Sequence, residues 1–330
     1  MSKIALELIL SMLLTFIMGK IFIPFLKRLK VKQTILQYVE NHEGKNGTPT
    51  MGGLFFIISS VIIFFILNGF NNRISNAVII IGIGYMIIGF LDDFLKIKQK
   101  QNLGLKPYQK IIFQFSIAIL AGLFVYFNGL TIFYLPFVKR YIDLGWFSII
   151  LVIFIFLAIT NSVNLTDGLD GLAGSVSIVY LIIISLLIYL ETNLFFSNYL
   201  DRKEFLNMID LSTCLIGGII GFLIFNTNKA SIFMGDTGSL SLGGFLGAIS
   251  IFSLNSLFIP FIGIMFVLSS ISVIIQVVYF KKTKKRVFLM APLHHHFQNK
   301  GYTESKIVFC YSVITLIVGI ISIAGYLNVY

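Results

Sequence analysis

The feature that most constrains this chain is a nearly unbroken succession of apolar stretches, each about 20 residues long, the length a helix needs to cross the hydrocarbon of a bilayer. They fall at about 4–26, 51–68, 75–91, 109–127, 147–161, 172–190, 207–225, 239–255, 257–280 and 307–327. Within lipid a backbone must satisfy its own amides and carbonyls, so each stretch reads as a helix. The expected fold is all-α: a polytopic integral membrane protein with about ten transmembrane helices, residues 1–330 forming a single domain. Composition excludes a soluble protein, because 57% of the residues are hydrophobic and only 12% charged, against about half and about a quarter in soluble domains. The run from Ile4 to Phe25 exceeds a signal-peptide core and is followed by Lys27, Arg28, Lys30 and Lys32, as in a retained first helix with a basic stop.

Ten spans divide the connecting loops into two sets. Loops 27–50, 92–110, 162–171, 226–238 and 281–306 hold 18 Lys and Arg, and the opposite set holds 6. Basic residues accumulate on the cytoplasmic side, which puts the first set inside and both termini outside. Asp92, Asp93, Asp167, Asp170 and Asp236 all fall at or near cytoplasmic helix ends. Ionisable groups at a membrane boundary are costly, so their convergence predicts an active site at the membrane–cytosol interface. The net charge of +11 sits beside apolar spans, which suits anionic lipid or an anionic substrate and not nucleic acid. Cys214 and Cys310 lie inside apolar runs and suggest neither a disulfide nor a zinc site.

Five motifs carry chemistry on that face. Asn161–Gly174 reads NSVNLTDGLDGLAG, two carboxylates three residues apart among amides, hydroxyls and glycines. It suits a metal, sugar or phosphate-bearing ligand, or a plain polar turn. Before the second span, Lys45 and the Gly47–Gly53 run GTPTMGG offer free amides and hydroxyls to an anion, or a simple helix cap. Asp92 and Asp93 are adjacent, so on a helix they diverge by about 100°. One would face the site while the other holds a lysine, with Lys96 and Lys110 the best candidates to meet a phosphate. Phe233–Ser239, FMGDTGS, combines a carboxylate with a helix start, fit for Mg2+ on a diphosphate or for N-capping. His294, His295 and His296 are consecutive and have no cysteines to complete a zinc site. They are read as donors to phosphate oxygens.

GTPTMGG at 47–53, DDFLK at 92–96, NLTDGLDGLA at 164–173, FMGDTGSL at 233–240 and APLHHHF at 291–297 together resemble the phospho-N-acetylmuramoyl-pentapeptide transferases, a branch of the polyprenyl-phosphate N-acetylhexosamine-1-phosphate transferases. The resemblance runs, in order, over essentially the full length. It implies a bacterial plasma-membrane enzyme of peptidoglycan synthesis that joins undecaprenyl phosphate to the phospho-sugar of UDP-MurNAc-pentapeptide, giving lipid I and UMP with Mg2+, and it leaves room for a homodimer. It further implies that Asp236 is the principal Mg2+ ligand and that Asp92 and Asp93 lie near the attacking lipid phosphate. Asn164, Asp167 and Asn226 would line the site, His294 and His295 would contact the diphosphate, and Phe233 would stack on uracil. Lys45, Lys110, Gln276 and His296 join them as substrate-binding candidates. Gln298 and Tyr302 depart from the family pattern, which favours Glu and Trp there. Direct attack on the β-phosphate, with Asp92 orienting the nucleophile, competes with an aspartyl-phosphate path through Asp236. A sister transferase using UDP-GlcNAc and a transporter remain as alternative readings.

Overall fold

Long helices form where the apolar stretches predict them, because their backbones have nowhere else to bond. The computed structural model describes residues 2–28, 47–99, 104–138, 140–194, 202–227 and 229–327. In chain order these give α1 (Lys3–Arg28), α2 (Gly53–Asn68), α3 (Arg73–Gln99) and α4 (Pro107–Phe127), then strands β1 (Ile132–Leu135) and β2 (Arg140–Asp143). There follow α5 (Phe147–Thr166), α6 (Leu172–Leu194), α7 (Arg202–Asn226), α8 (Gly235–Phe252), α9 (Ile259–Ile262), α10 (Ile264–Thr283), α11 (Leu293–Asn299) and α12 (Glu304–Leu327). Eight of them, α1, α3 to α7, α10 and α12, are long and apolar enough to cross a membrane. The other two predicted spans are occupied by α2, of 16 residues, and α8, of 18.

The modest hydropathy of α8 has a packing reason. Every residue from Thr237 to Phe252 is buried, so this helix is surrounded by protein and its serines and glycines meet other helices instead of lipid. A Cβ on Gly243 would stand 2.5 Å from the Thr160 Cα in α5, and one on Gly244 2.8 Å from the Tyr85 ring in α3. Small residues thus let the surrounding backbones close on α8, as membrane helix packing favours. By contrast α1, α4, α10 and α12 bury only 22–28% of their apolar windows and form the outer, lipid-facing ring.

Three local differences from the sequence-based expectation matter. First, α3 runs to Gln99 and α5 to Thr166, so DDFLK and SVNLT are final helical turns, not loops. Second, the ninth predicted span breaks at Gly263, between α9 and α10. Third, the loop between α4 and α5 contains an antiparallel hairpin, with Ile132 opposite Asp143 and Leu135 opposite Arg140. Tyr134 of that hairpin stacks on Phe258 just before α9, ring centroids 5.8 Å apart.

Candidate active site

The ends of α3, α4, α5 and α8 meet at a carboxylate cluster. Asp92, Asp93 and Asp236 each offer an oxygen, all within 4.8 Å of one another. The expectation that Asp92 and Asp93 would diverge is corrected here. Gly89 lets α3 lie directly on the start of α8, where a Cβ would overlap the Asp236 carbonyl. The tip of α8 therefore enters between the two side chains, and both reach it.

Lys96 is the hub. One turn beyond Asp92, its Nζ lies 2.6 Å from Asp92 Oδ2, 3.8 Å from Asp93 Oδ1 and 3.0 Å from Asp236 Oδ2. Lys110, in the first turn of α4, reaches the same Asp236 oxygen at 2.8 Å. Asn164 Nδ2 donates to Asp236 Oδ1 at 2.8 Å and to Ser239 Oγ at 2.8 Å. The remaining oxygens are held by two backbone amides and a hydroxyl: Leu105 N donates to Asp92 Oδ1 at 2.9 Å, and Thr237 donates to Asp93 Oδ2 from N at 2.9 Å and from Oγ1 at 2.7 Å. Such an all-oxygen set fits a hard divalent cation.

Asp167, the C-cap of α5, stands at the edge of this cluster and accepts no hydrogen bond among the described residues. Burial, then the charges of Asp236, Asp93 and Asp170, hold its carboxyl well above the usual range. Beside it the histidine helix docks. Gly168 receives the His294 ring, since a Cβ there would overlap His294 Nε2 and stand 3.0 Å from His295 Nε2. His294 is fully buried, and neither of its ring nitrogens has a hydrogen-bond partner among the described residues. Burial, then neighbouring His295, keeps it well below the ordinary histidine value, so it is a neutral imidazole.

Other predicted residues turn out to brace loops. Asn226 is buried, with Oδ1 accepting from Gly171 N at 3.0 Å and Nδ2 donating to Ile232 O at 2.8 Å. Asp170 Oδ2 accepts from Ala230 N at 3.0 Å. Together they clamp the segment before α8 onto the glycine-rich turn after α5. Gln276 Oε1 accepts from Val287 N and Phe288 N at 3.1 and 2.9 Å, and His296 Nδ1 from Leu289 N at 3.1 Å. These two residues organise the loop between α10 and α11. Phe233 is anchored by its backbone, its N donating to Pro49 O at 2.8 Å and its O accepting from Gly52 N at 2.9 Å. Its half-exposed ring has no aromatic partner among the described residues. Lys45 lies outside the described residues. Glu304, absent from the sequence-based candidates, joins α12 to the site by accepting from Asp170 N. An acidic residue opening a helix is the only local signal it gives.

The family model for Glycosyl transferase family 4 matches residues 75–254, from α3 through α8 and therefore across the cluster. Signature 1 of phospho-N-acetylmuramoyl-pentapeptide-transferase matches residues 45–57. Phospho-N-acetylmuramoyl-pentapeptide-transferase of Thermoanaerobacter sp. (strain X514) is 42% identical over 321 residues, 96% of each chain. The protein of that name from Clostridioides difficile (strain 630) is 40% identical over 96% of this chain and 95% of its own. One from Halalkalibacterium halodurans is 39% identical over 98% and 97%. With its cluster inside the matched region and its length covered almost end to end, the chain belongs to the phospho-N-acetylmuramoyl-pentapeptide-transferase branch of glycosyl transferase family 4.

Proposed function

We propose that this chain transfers phospho-MurNAc-pentapeptide from UDP-MurNAc-pentapeptide to undecaprenyl phosphate, yielding lipid I and UMP in the first membrane step of peptidoglycan synthesis. The observation that carries the reading is the convergence of Asp92, Asp93 and Asp236 with Lys96 and Lys110 at the ends of membrane-length helices. That is where a cytosolic nucleotide sugar and a lipid phosphate can meet. An apolar groove between α5, α9 and α10, lined by Leu151, Ile155, Ile159, Leu257, Pro260 and Val267, supports a polyprenyl acceptor. The groove also includes Ser162, two residues before Asn164, so a tail lying there would bring its headgroup towards the cluster.

Mg2+, held by Asp236 with Asp92 and Asp93, would neutralise charge on the diphosphate. In the transfer, an oxygen of the lipid phosphate bonds to the β-phosphorus, while the bond from that phosphorus to the bridging oxygen breaks and UMP leaves with the electron pair. A phosphate monoester, with a second pKa of about 6, is already largely ionised at neutral pH. Asp92 therefore serves chiefly to orient it. Lys96 and Lys110 stabilise charge on the transferring group, releasing Asp236 as they do so. Asp236, already crowded by Lys96, Lys110 and Asn164, is poorly placed as a nucleophile, which favours direct attack over an aspartyl-phosphate. His294 and His295 face the donor substrate beside Asp167, Phe233 stacks on uracil, and Lys45 supplies a further cation. Gln276, His296 and Asn226 act through the loops they brace. The site faces the cytoplasm of a bacterial plasma membrane, with ten spans and both termini outside.

The test is turnover by the purified protein with undecaprenyl phosphate and Mg2+, following UMP release. UDP-MurNAc-pentapeptide should be consumed and UDP-GlcNAc left. Equal use of both donors would overturn the substrate assignment.

A further inference from the structure

Of the three consecutive histidines of α11, His294 and His295 both turn towards Gly168 and His296 towards Leu289, and among the described residues only His295 is tied to a side chain that dictates where its proton sits. His295 and Gln298 share a helix face, three residues apart, and His295 Nδ1 meets Gln298 Oε1 at 3.0 Å. Gln298 Nε2 donates to Glu304 Oε1 at 3.3 Å, and Glu304 Oε2 accepts from Asp170 N at 3.3 Å. A carboxamide has one accepting end and one donating end, whereas an ionised carboxylate only accepts. Glu304 therefore takes the amide nitrogen and leaves the amide oxygen for His295. The reverse placement would set oxygen against carboxylate. Facing an acceptor, Nδ1 must carry hydrogen, and in the neutral ring the lone pair is then on Nε2. That atom faces Gly168, beside Asp167.

We propose that Gln298 is a positioning residue: oriented by Glu304, it holds His295 as the Nδ1–H tautomer and so presents Nε2 to the donor substrate as a hydrogen-bond acceptor, where the sequence suggested a donor to phosphate oxygen. This rests on the reading that His295 faces the donor. It also gives the departure from the family pattern at Gln298 a physical content. Glutamate there would set a second carboxylate against Glu304 yet still accept from Nδ1–H, so it would keep the tautomer. Leucine fills similar space and accepts nothing, so it would release it. His294, by comparison, has no such partner among the described residues, and its tautomer is free to follow the substrate.

The experiment is 15N spectroscopy of histidine-labelled full-length protein in bilayers at about pH 8, above the ordinary histidine pKa of about 6.5. The His295 signals are identified by their loss in His295→Gln. Wild type and Gln298→Glu should show Nδ1–H, and Gln298→Leu should show Nε2–H in a substantial fraction of molecules. Alongside, kcat for lipid I formation in Gln298→Leu should fall roughly tenfold, the equivalent of one hydrogen bond, with KM for UDP-MurNAc-pentapeptide moving less. Nε2–H in the wild type, or an unchanged tautomer in Gln298→Leu, would overturn the proposal. Should Gln298→Leu not fold, Nε2–H in Gln298→Glu would overturn it equally. A switched tautomer with unchanged turnover would instead remove His295 from the reaction while leaving the role of Gln298 standing.

Discussion

At Asp236, two lysines and an asparagine meet on one side chain, and two further carboxylates lie within 4.8 Å. Asp236→Ala is expected to abolish lipid I formation while leaving the fold intact, measured as UMP release together with the thermal unfolding midpoint; near-normal turnover would remove Asp236 from the chemistry. Proton linkage gives two signs at this scale. His294 has a lowered pKa, so the unfolded chain binds its proton first, and stability is lost as pH falls below about 6.5. His294→Gln should flatten the decline of the unfolding midpoint between pH 7 and 5, and parallel curves would argue against a buried neutral ring. Asp167 has a raised pKa, so stability is lost as pH rises above the ordinary aspartate value towards its folded one. Asp167→Asn should raise the midpoint at neutral pH in chelator, and the gain should vanish on acidification towards pH 4. Which residues bear charge was legible in the sequence, but the centrality of Lys96 was not. Its spacing from Asp92 is local, whereas its approach to Asp236 spans 140 residues and depends on how α8 packs.

Between elements, the decisive contacts are backbone on backbone. Gly89 at the crossing of α3 and α8 has no room for a side chain, so Gly89→Ala should cost about 1–3 kcal/mol through overpacking. It should also depress turnover by pushing Asp236 away from Asp92 and Asp93. A variant of normal stability and activity would mean that the crossing is not tight. The helix positions were readable from apolar runs, but the ends that carry the site were not. Polar residues such as Ser162, Asn164 and Lys96 look like loop when hydropathy sets the boundary. A helix has no reason to stop where its apolar run does, and α3 and α5 continue past theirs, carrying the site on their last turns. The α9–α10 break was equally hidden, because both sides of Gly263 are apolar.

For the whole molecule, an enclosed α8 within an outer ring of lipid-facing helices holds the site at one end of the bundle. The asymmetry of 18 against 6 basic loop residues leads us to expect that alkaline phosphatase fused to the C-terminus will be active and a fluorescent protein there dark; the opposite pattern would invert the topology. The bond from Thr237 to Asp93 spans 144 residues and has a consequence for biogenesis. At about 5–20 residues per second of synthesis, Asp93 waits roughly 7–30 s after leaving the ribosome before its partner is made. Throughout that interval both Asp92 and Asp93 have Lys96 within one turn, but Asp93 still lacks the amide and hydroxyl of Thr237. The chain therefore completes α1 to α7 with that edge of the cluster still open, and closes it only when the first turn of α8 arrives.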